Sequence, residues 1–132
     1  MRNPGLFLLF ICIFLTHSQP VNAAKYPSRP VTVVVAFSAG GGADMVARNF
    51  ARYFEKYLGQ PVVVTNKDGG GGTIGTSAVV HARPDGYTLL QNVVGPTVIQ
   101  PLYGGTDYNK DSLRPVANLT NVSTLIALNK MM

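Results

Sequence analysis

The stretch Pro30-Val31-Thr32-Val33-Val34-Val35-Ala36-Phe37-Ser38-Ala39-Gly40-Gly41-Gly42-Ala43-Asp44 decides the fold. Val31 to Phe37 is a short apolar run rich in β-branched residues, which suits a strand buried on both faces better than an amphipathic one. Glycines follow at once, and from Asp44 to Leu58 the spacing turns helical. Val46, Phe50, Phe54 and Tyr57 with Leu58 are expected on one face, with Arg48, Asn49, Arg52, Glu55 and Lys56 elsewhere. Gly59 stops the helix, as a C-terminal glycine does.

The unit then repeats. Pro61 leads into a second short strand, Val62 to Thr65, followed by the glycines Gly69 to Gly72 and a helical stretch from Thr73 to Ala82. Pro84-Asp85-Gly86 is turn chemistry, Tyr87 to Leu90 is a third strand, and a short helix is expected from Pro96 to Leu102. Two more strands are expected, Val116 to Leu119 and Leu125 to Leu128. Alternating strands and helices predict an α/β protein whose parallel sheet is covered by helices through right-handed crossovers. In such sheets ligands bind beyond the carboxyl ends of the strands, where both glycine clusters fall.

Residues 1–23 are set aside from this fold as a secretory signal peptide, leaving residues 24–132 as one α/β unit. Arg2 supplies the positive end, Leu6 to Leu15 is continuously apolar, and Val21-Asn22-Ala23 offers small residues for cleavage. The apolar run is well short of the roughly 20 residues of a membrane-spanning helix. The single cysteine, Cys12, lies inside it, so the exported part has neither a disulfide nor a thiolate metal site. Of 132 residues, 13% are charged and the net charge is +5, but the basic residues are scattered along the chain, and nucleic acid is not expected as a partner.

The loop Ser38 to Asp44 joins a strand to a helix, and Asp68 to Gly75 does the same. Glycine lets a backbone approach a ligand, and the amides at a helix start favour an anion. Two such loops side by side would make a shallow anion cradle, while glycines that merely form tight turns are the simpler reading of either loop alone. Gly70, Gly72 and Gly75 fit the dinucleotide spacing G-x-G-x-x-G, but Leu89, Leu90, Gln91 and Asn92 stand where an acidic ribose ligand belongs. No cofactor is expected. His81 is the one histidine after the signal and reads as a surface or packing residue. Ser38 reads as a ligand donor or loop residue, and Asp44 as a carboxylate that orders the loop and the helix start.

Taken together, Tyr26-Pro27-Ser28-Arg29-Pro30, Phe37 to Asp44, Leu58-Gly59-Gln60-Pro61-Val62-Val63-Val64, Gly69 to Gly75 and Pro84-Asp85-Gly86-Tyr87-Thr88-Leu89-Leu90 resemble the Bug receptors of tripartite tricarboxylate transporters. The resemblance implies a type II periplasmic binding protein, of which this chain is expected to be the early part of the first lobe, with the second lobe absent. It implies a non-enzymatic receptor that carries a small organic acid to the membrane subunits of the transporter. The ligand-binding residues it carries over are Ser38, Ala39, Gly40, Gly41 and Asp44 in the first loop, Gly71, Gly72 and Thr73 in the second, and Gly95 and Thr97 in the third. The third loop departs from the family pattern, with Val93 and Val94 where small hydroxylated residues are common. A remnant without activity and an exported hydrolase-like or transferase domain are the alternatives. Marginal stability and self-association through an uncovered apolar face and sheet edge are expected.

Overall fold

The computed structural model describes residues 25–120. The expected signal peptide and the expected strand Leu125 to Leu128 lie outside them.

Three strands, β1 (Val31–Val35), β2 (Val62–Asn66) and β3 (Thr88–Gln91), form a parallel sheet in the order β2-β1-β3. The β-branched run predicted to be most buried takes the centre, where both edges are paired: Val35 stands opposite Asn66 on one side and Gln91 on the other. The three carboxyl ends therefore lie level, and the turns that follow them share one end of the sheet.

Helix α1 (Gly42–Leu58) follows β1 and closes at Gly59, whose φ of 65° is the left-handed conformation that glycine adopts without strain. The Gly59 amide donates to the Glu55 carbonyl, and the Val62 amide donates to Glu55 Oε1, so one residue ties the helix end to the start of β2. The core joins Val33, Val35, Ala47, Ala51 and Val62, with Phe37, Phe54 and Leu58 packed against it. The buried face of α1 is centred on two alanines rather than on its aromatics. Tyr57, expected inside, is exposed, because close approach to the sheet needs small residues at the contact and turns position 57 outward.

Helix α2 (Thr73–Val80) follows β2 through a single tight turn at Gly70–Gly72. It ends two residues earlier than the spacing suggested, with His81 at its C-cap and the His81 ring Nδ1 beside the Ser77 carbonyl. After β3 the expected helix is a wide π-type turn, Gly95–Ile99, running into α3 (Gln100–Tyr103). The Gln100 amide reaches back five residues to the Gly95 carbonyl. Pro101 offers no N–H to the carbonyl of Thr97, so a regular ladder cannot continue there.

Residues 114–120 have no regular structure and do not join the sheet, which corrects the strand expected at Val116 to Leu119. A segment as short as Val116-Ala117-Asn118-Leu119 has a weak strand propensity only, and a strand needs a partner edge; Val116 instead faces solvent. At the opposite end of the sheet, the segment before β1 is clasped to the turn before β3. The Tyr26 hydroxyl donates to the Gly86 carbonyl, the Ser28 amide donates to the Tyr87 hydroxyl, and Arg29 pairs with Asp85 while lying over the Tyr87 ring. The hydrogen bonds from Ser28 hold the Tyr87 phenol below its ordinary pKa.

Candidate functional site

The first loop, Ala36 to Gly41, runs from β1 into α1. Gly41 is the N-cap of α1 and makes no side-chain cap, so Asp44 sits inside the first turn rather than capping it. Its side chain turns back under the loop and is almost wholly buried. Asp44 Oδ2 accepts from the Gly40 amide and from Arg48 Nε, both at 2.9 Å, and Oδ1 accepts from Asn66 Nδ2 at 2.9 Å. Asn66, the last residue of β2, also donates to the Phe37 carbonyl and accepts from Arg48. The bond from Arg48, then those from Gly40 and Asn66, outweigh burial and hold the Asp44 carboxyl well below the usual carboxylate range. Asp44 is thus an anion with its charge offset by Arg48, and it fixes the loop to both neighbouring elements. Asp44 and Arg48 are four apart on a helix, which a sequence can reveal; Asn66 comes from the next strand, which only the fold brings near.

The second loop depends on glycine more strictly. Gly69, Gly70, Gly71 and Gly72 all have positive φ, from 56° to 115°. A Cβ on Gly72 would also stand 2.9 Å from Pro96 Cγ and 3.2 Å from Phe37 Cζ. Gly72 therefore lets all three loops pack together. The Ser38 hydroxyl donates to Asp68 Oδ2 at 2.9 Å, stitching the first loop to the second. Asn92, at the start of the third loop, donates to the Thr76 hydroxyl, which itself donates to the Gly72 carbonyl. The Gln100 amide nitrogen closes over Gly71, 3.0 Å from where a Cβ would lie. Beneath the third loop the buried Tyr108 donates its hydroxyl to the Pro96 carbonyl at 2.7 Å.

Every candidate ligand-binding residue named from the sequence therefore lies on one of three adjoining turns at one end of the sheet or, like Asp44 and Thr73, in the first turn of the helix that follows. Several of their donors are already used. The Gly40 amide is spent on Asp44, that of Gly41 makes a long turn contact with the Ser38 carbonyl, and that of Gly72 is spent on the Gly69 carbonyl. The hydroxyls of Thr73 and Thr97 bond the carbonyls of Gly70 and Val93, and Ser38 is engaged with Asp68. Among the described residues, the amides of Gly42 to Asp44 at the start of α1 and of the exposed Ala39 beside them have no backbone partner. Five residues went unnoticed in the sequence as parts of this site: Arg48, Asn66, Thr76, Gln100 and Tyr108. Gln91 and Gln100 each bury a carboxamide oxygen without a hydrogen-bond partner among the described residues. Next to the third loop, an open depression of about 540 Å³ is lined by Leu90 to Val94 and Ala117 to Thr120.

A parallel α/β sheet with glycine-rich strand-to-helix turns gathered at its carboxyl end is an architecture this chain shares with periplasmic binding proteins. The MatC protein of Rhodopseudomonas palustris with bound malate superimposes with a TM-score of 0.61 at 41% identity, over 65% of this chain and 30% of that one. A second R. palustris protein, with adipate, superimposes at 0.53 and 38% identity, over 55% and 24%. BugT of Bordetella pertussis is 52% identical over 91 residues, 67% of this chain and 28% of its own length. Residues 46–130 match the family described as the tripartite tricarboxylate transporter family receptor, and the chain belongs to that family of solute-binding receptors. It spans about a third of the length of the curated relatives it matches.

Proposed function

We propose that the chain contributes one wall of a receptor site for a small organic acid, which the receptor delivers to the membrane subunits of a tripartite tricarboxylate transporter in the periplasm. The observation that carries this reading is the meeting of three strand-to-helix turns, one of them all glycine, at one end of a parallel sheet in a member of this family. A ligand carboxylate would lie over Ser38, Ala39, Gly40, Gly41 and Asp44 on one side and Gly71, Gly72, Thr73, Gly95 and Thr97 on the other. Asp44 acts from beneath by shaping the loop, and the unpaired amides at the start of α1 receive the charge, directly or through water. Selectivity among acids comes from groups on the facing side of the ligand.

The protein is read as a carrier that returns its ligand unchanged, with no cofactor, after export and cleavage behind Ala23. Malate bound to the MatC relative and adipate to the other support a carboxylate as the ligand class. The test is equilibrium dialysis of the chain against malate, adipate and the neutral dimethyl ester of malate, followed by recovery of the ligand. Retention of the acids over the ester, with chemically unchanged acid recovered, supports the reading. Equal retention of the ester, or a converted product, would refute it. Since dipole contacts are worth roughly 0.3–1 kcal/mol each, this wall alone should bind in the millimolar range, where the full free energy is about 4 kcal/mol.

A further inference from the structure

Helix α1 turns one side to the core and the opposite side to solvent. On that outer side stand Met45, Asn49, Arg52, Tyr53, Lys56 and Tyr57, with Met45 59%, Tyr53 65% and Tyr57 88% exposed. Three cations, Arg48, Arg52 and Lys56, repeat at four-residue spacing along the same helix. Arg48 is drawn inward to Asp44, but among the described residues Arg52 and Lys56 make no ion pair. The Lys56 ammonium lies over the Tyr53 ring at 5.5 Å. The helix's other exposed charge, Glu55, accepts a hydrogen bond from the Val62 amide.

Tyrosine, methionine and arginine are the residues enriched at protein interfaces, and tyrosine brings a large rigid surface at small entropic cost. Such a stripe of mixed aromatic and basic groups, with its cations uncompensated, is electrostatically complementary to acidic groups on a facing surface. Two free cations are too few for a lipid surface, where clusters of about four to eight act together. We propose that the outer face of α1 is a docking surface for an acidic protein, with Arg52 and Lys56 pairing its carboxylates and Tyr53 and Tyr57 packing between them. Because Asp44 and Arg48 root the same helix in the first loop, a partner held there engages the element on which that loop is built.

The proposal rests on the receptor reading only in its choice of partner, the membrane complex of the cognate tripartite transporter. The experiment presents that complex in nanodiscs of neutral phosphatidylcholine to the complete chain and measures binding at low and high salt. The double variant R52E/K56E and, separately, Tyr57→Ala are compared with the parent, with circular dichroism confirming that each is folded. The parent should bind, weaken with salt, and lose about tenfold or more in affinity on charge reversal. Tyr57→Ala should lose affinity without changing the salt dependence. No binding by the parent, equal binding by R52E/K56E, or equal binding to empty nanodiscs of anionic lipid would overturn the proposal. None of these results bears on the acid-binding loops, which dialysis tests separately.

Discussion

Gly75 offers the sharpest test of how the second glycine turn is held. It lies in α2 with ordinary helical geometry, so nothing in its backbone demands glycine; what demands it is space. A Cβ there would stand 2.6 Å from the Lys67 carbonyl oxygen, 2.7 Å from Ala36 Cα and 2.8 Å from Ala36 Cβ. These fall 0.6 to 0.8 Å short of the 3.4 Å at which ordinary contact begins, and the atoms met belong to backbone and to a methyl with nowhere to turn. Gly75→Ala must therefore push α2 off the ends of β1 and β2. Overpacking of this kind costs about 1–3 kcal/mol, and the close contact with main chain places the cost near the upper end. Alanine returns about 1 kcal/mol in helix propensity, leaving a net loss of about 1–2 kcal/mol, or a melting temperature lower by roughly 5–15 °C for a domain of about 100 residues. Gly42→Ala is the control, since a Cβ there meets nothing within 4 Å and its φ is not in the left-handed region; it should move stability by less than about 0.5 kcal/mol. Urea denaturation followed by circular dichroism, at protein concentrations low enough to suppress association, gives both numbers. Equal or greater stability of Gly75→Ala would refute the packing argument.

Three further outcomes follow from the loops. Because the Asp44 pKa is lowered in the folded chain, its carboxylate stabilises the fold fully above the ordinary aspartate range and progressively less below about pH 4; Asp44→Asn should flatten the acid limb of the urea midpoint measured against pH, and an unchanged slope would contradict the assigned partners. Tyr108→Phe removes the donor to the Pro96 carbonyl and should cost about 1–3 kcal/mol in the same denaturation experiment, the price of an unpaired buried acceptor. With φ at 98° and Pro96 only 2.9 Å from its would-be Cβ, Gly72→Ala should raise amide hydrogen exchange in both the second and third loops together, and a change confined to one loop would separate what the contact joins.

What the sequence made legible was local. The β-branched run of β1, the glycine that ends α1 and the turn glycines each carry their own physical reason, and each stands where expected. Tyr57 was misplaced because periodicity weighted by size follows the aromatics, whereas the contact with the sheet is made by Ala47 and Ala51. Val116 to Leu119 failed as a strand because pairing is a property of two segments, of which the sequence shows one. The same limit governs the site. The glycine turns could be located, but not how they are held against one another, because that depends on Asn66, Gln100 and Tyr108 arriving from elsewhere in the chain.

In the proposed site a carboxylate is received where the three turns meet. The most direct measurement is a titration of the isotope-labelled chain with malate, following backbone amide resonances. Shifts should concentrate at Ala39 to Asp44, with smaller ones at Gly71 to Thr73 and Gly95 to Thr97, and none in the clasp around Tyr26 and Tyr87. Shifts spread over the basic outer face of α1, or absent from the first loop at saturating malate, would contradict it.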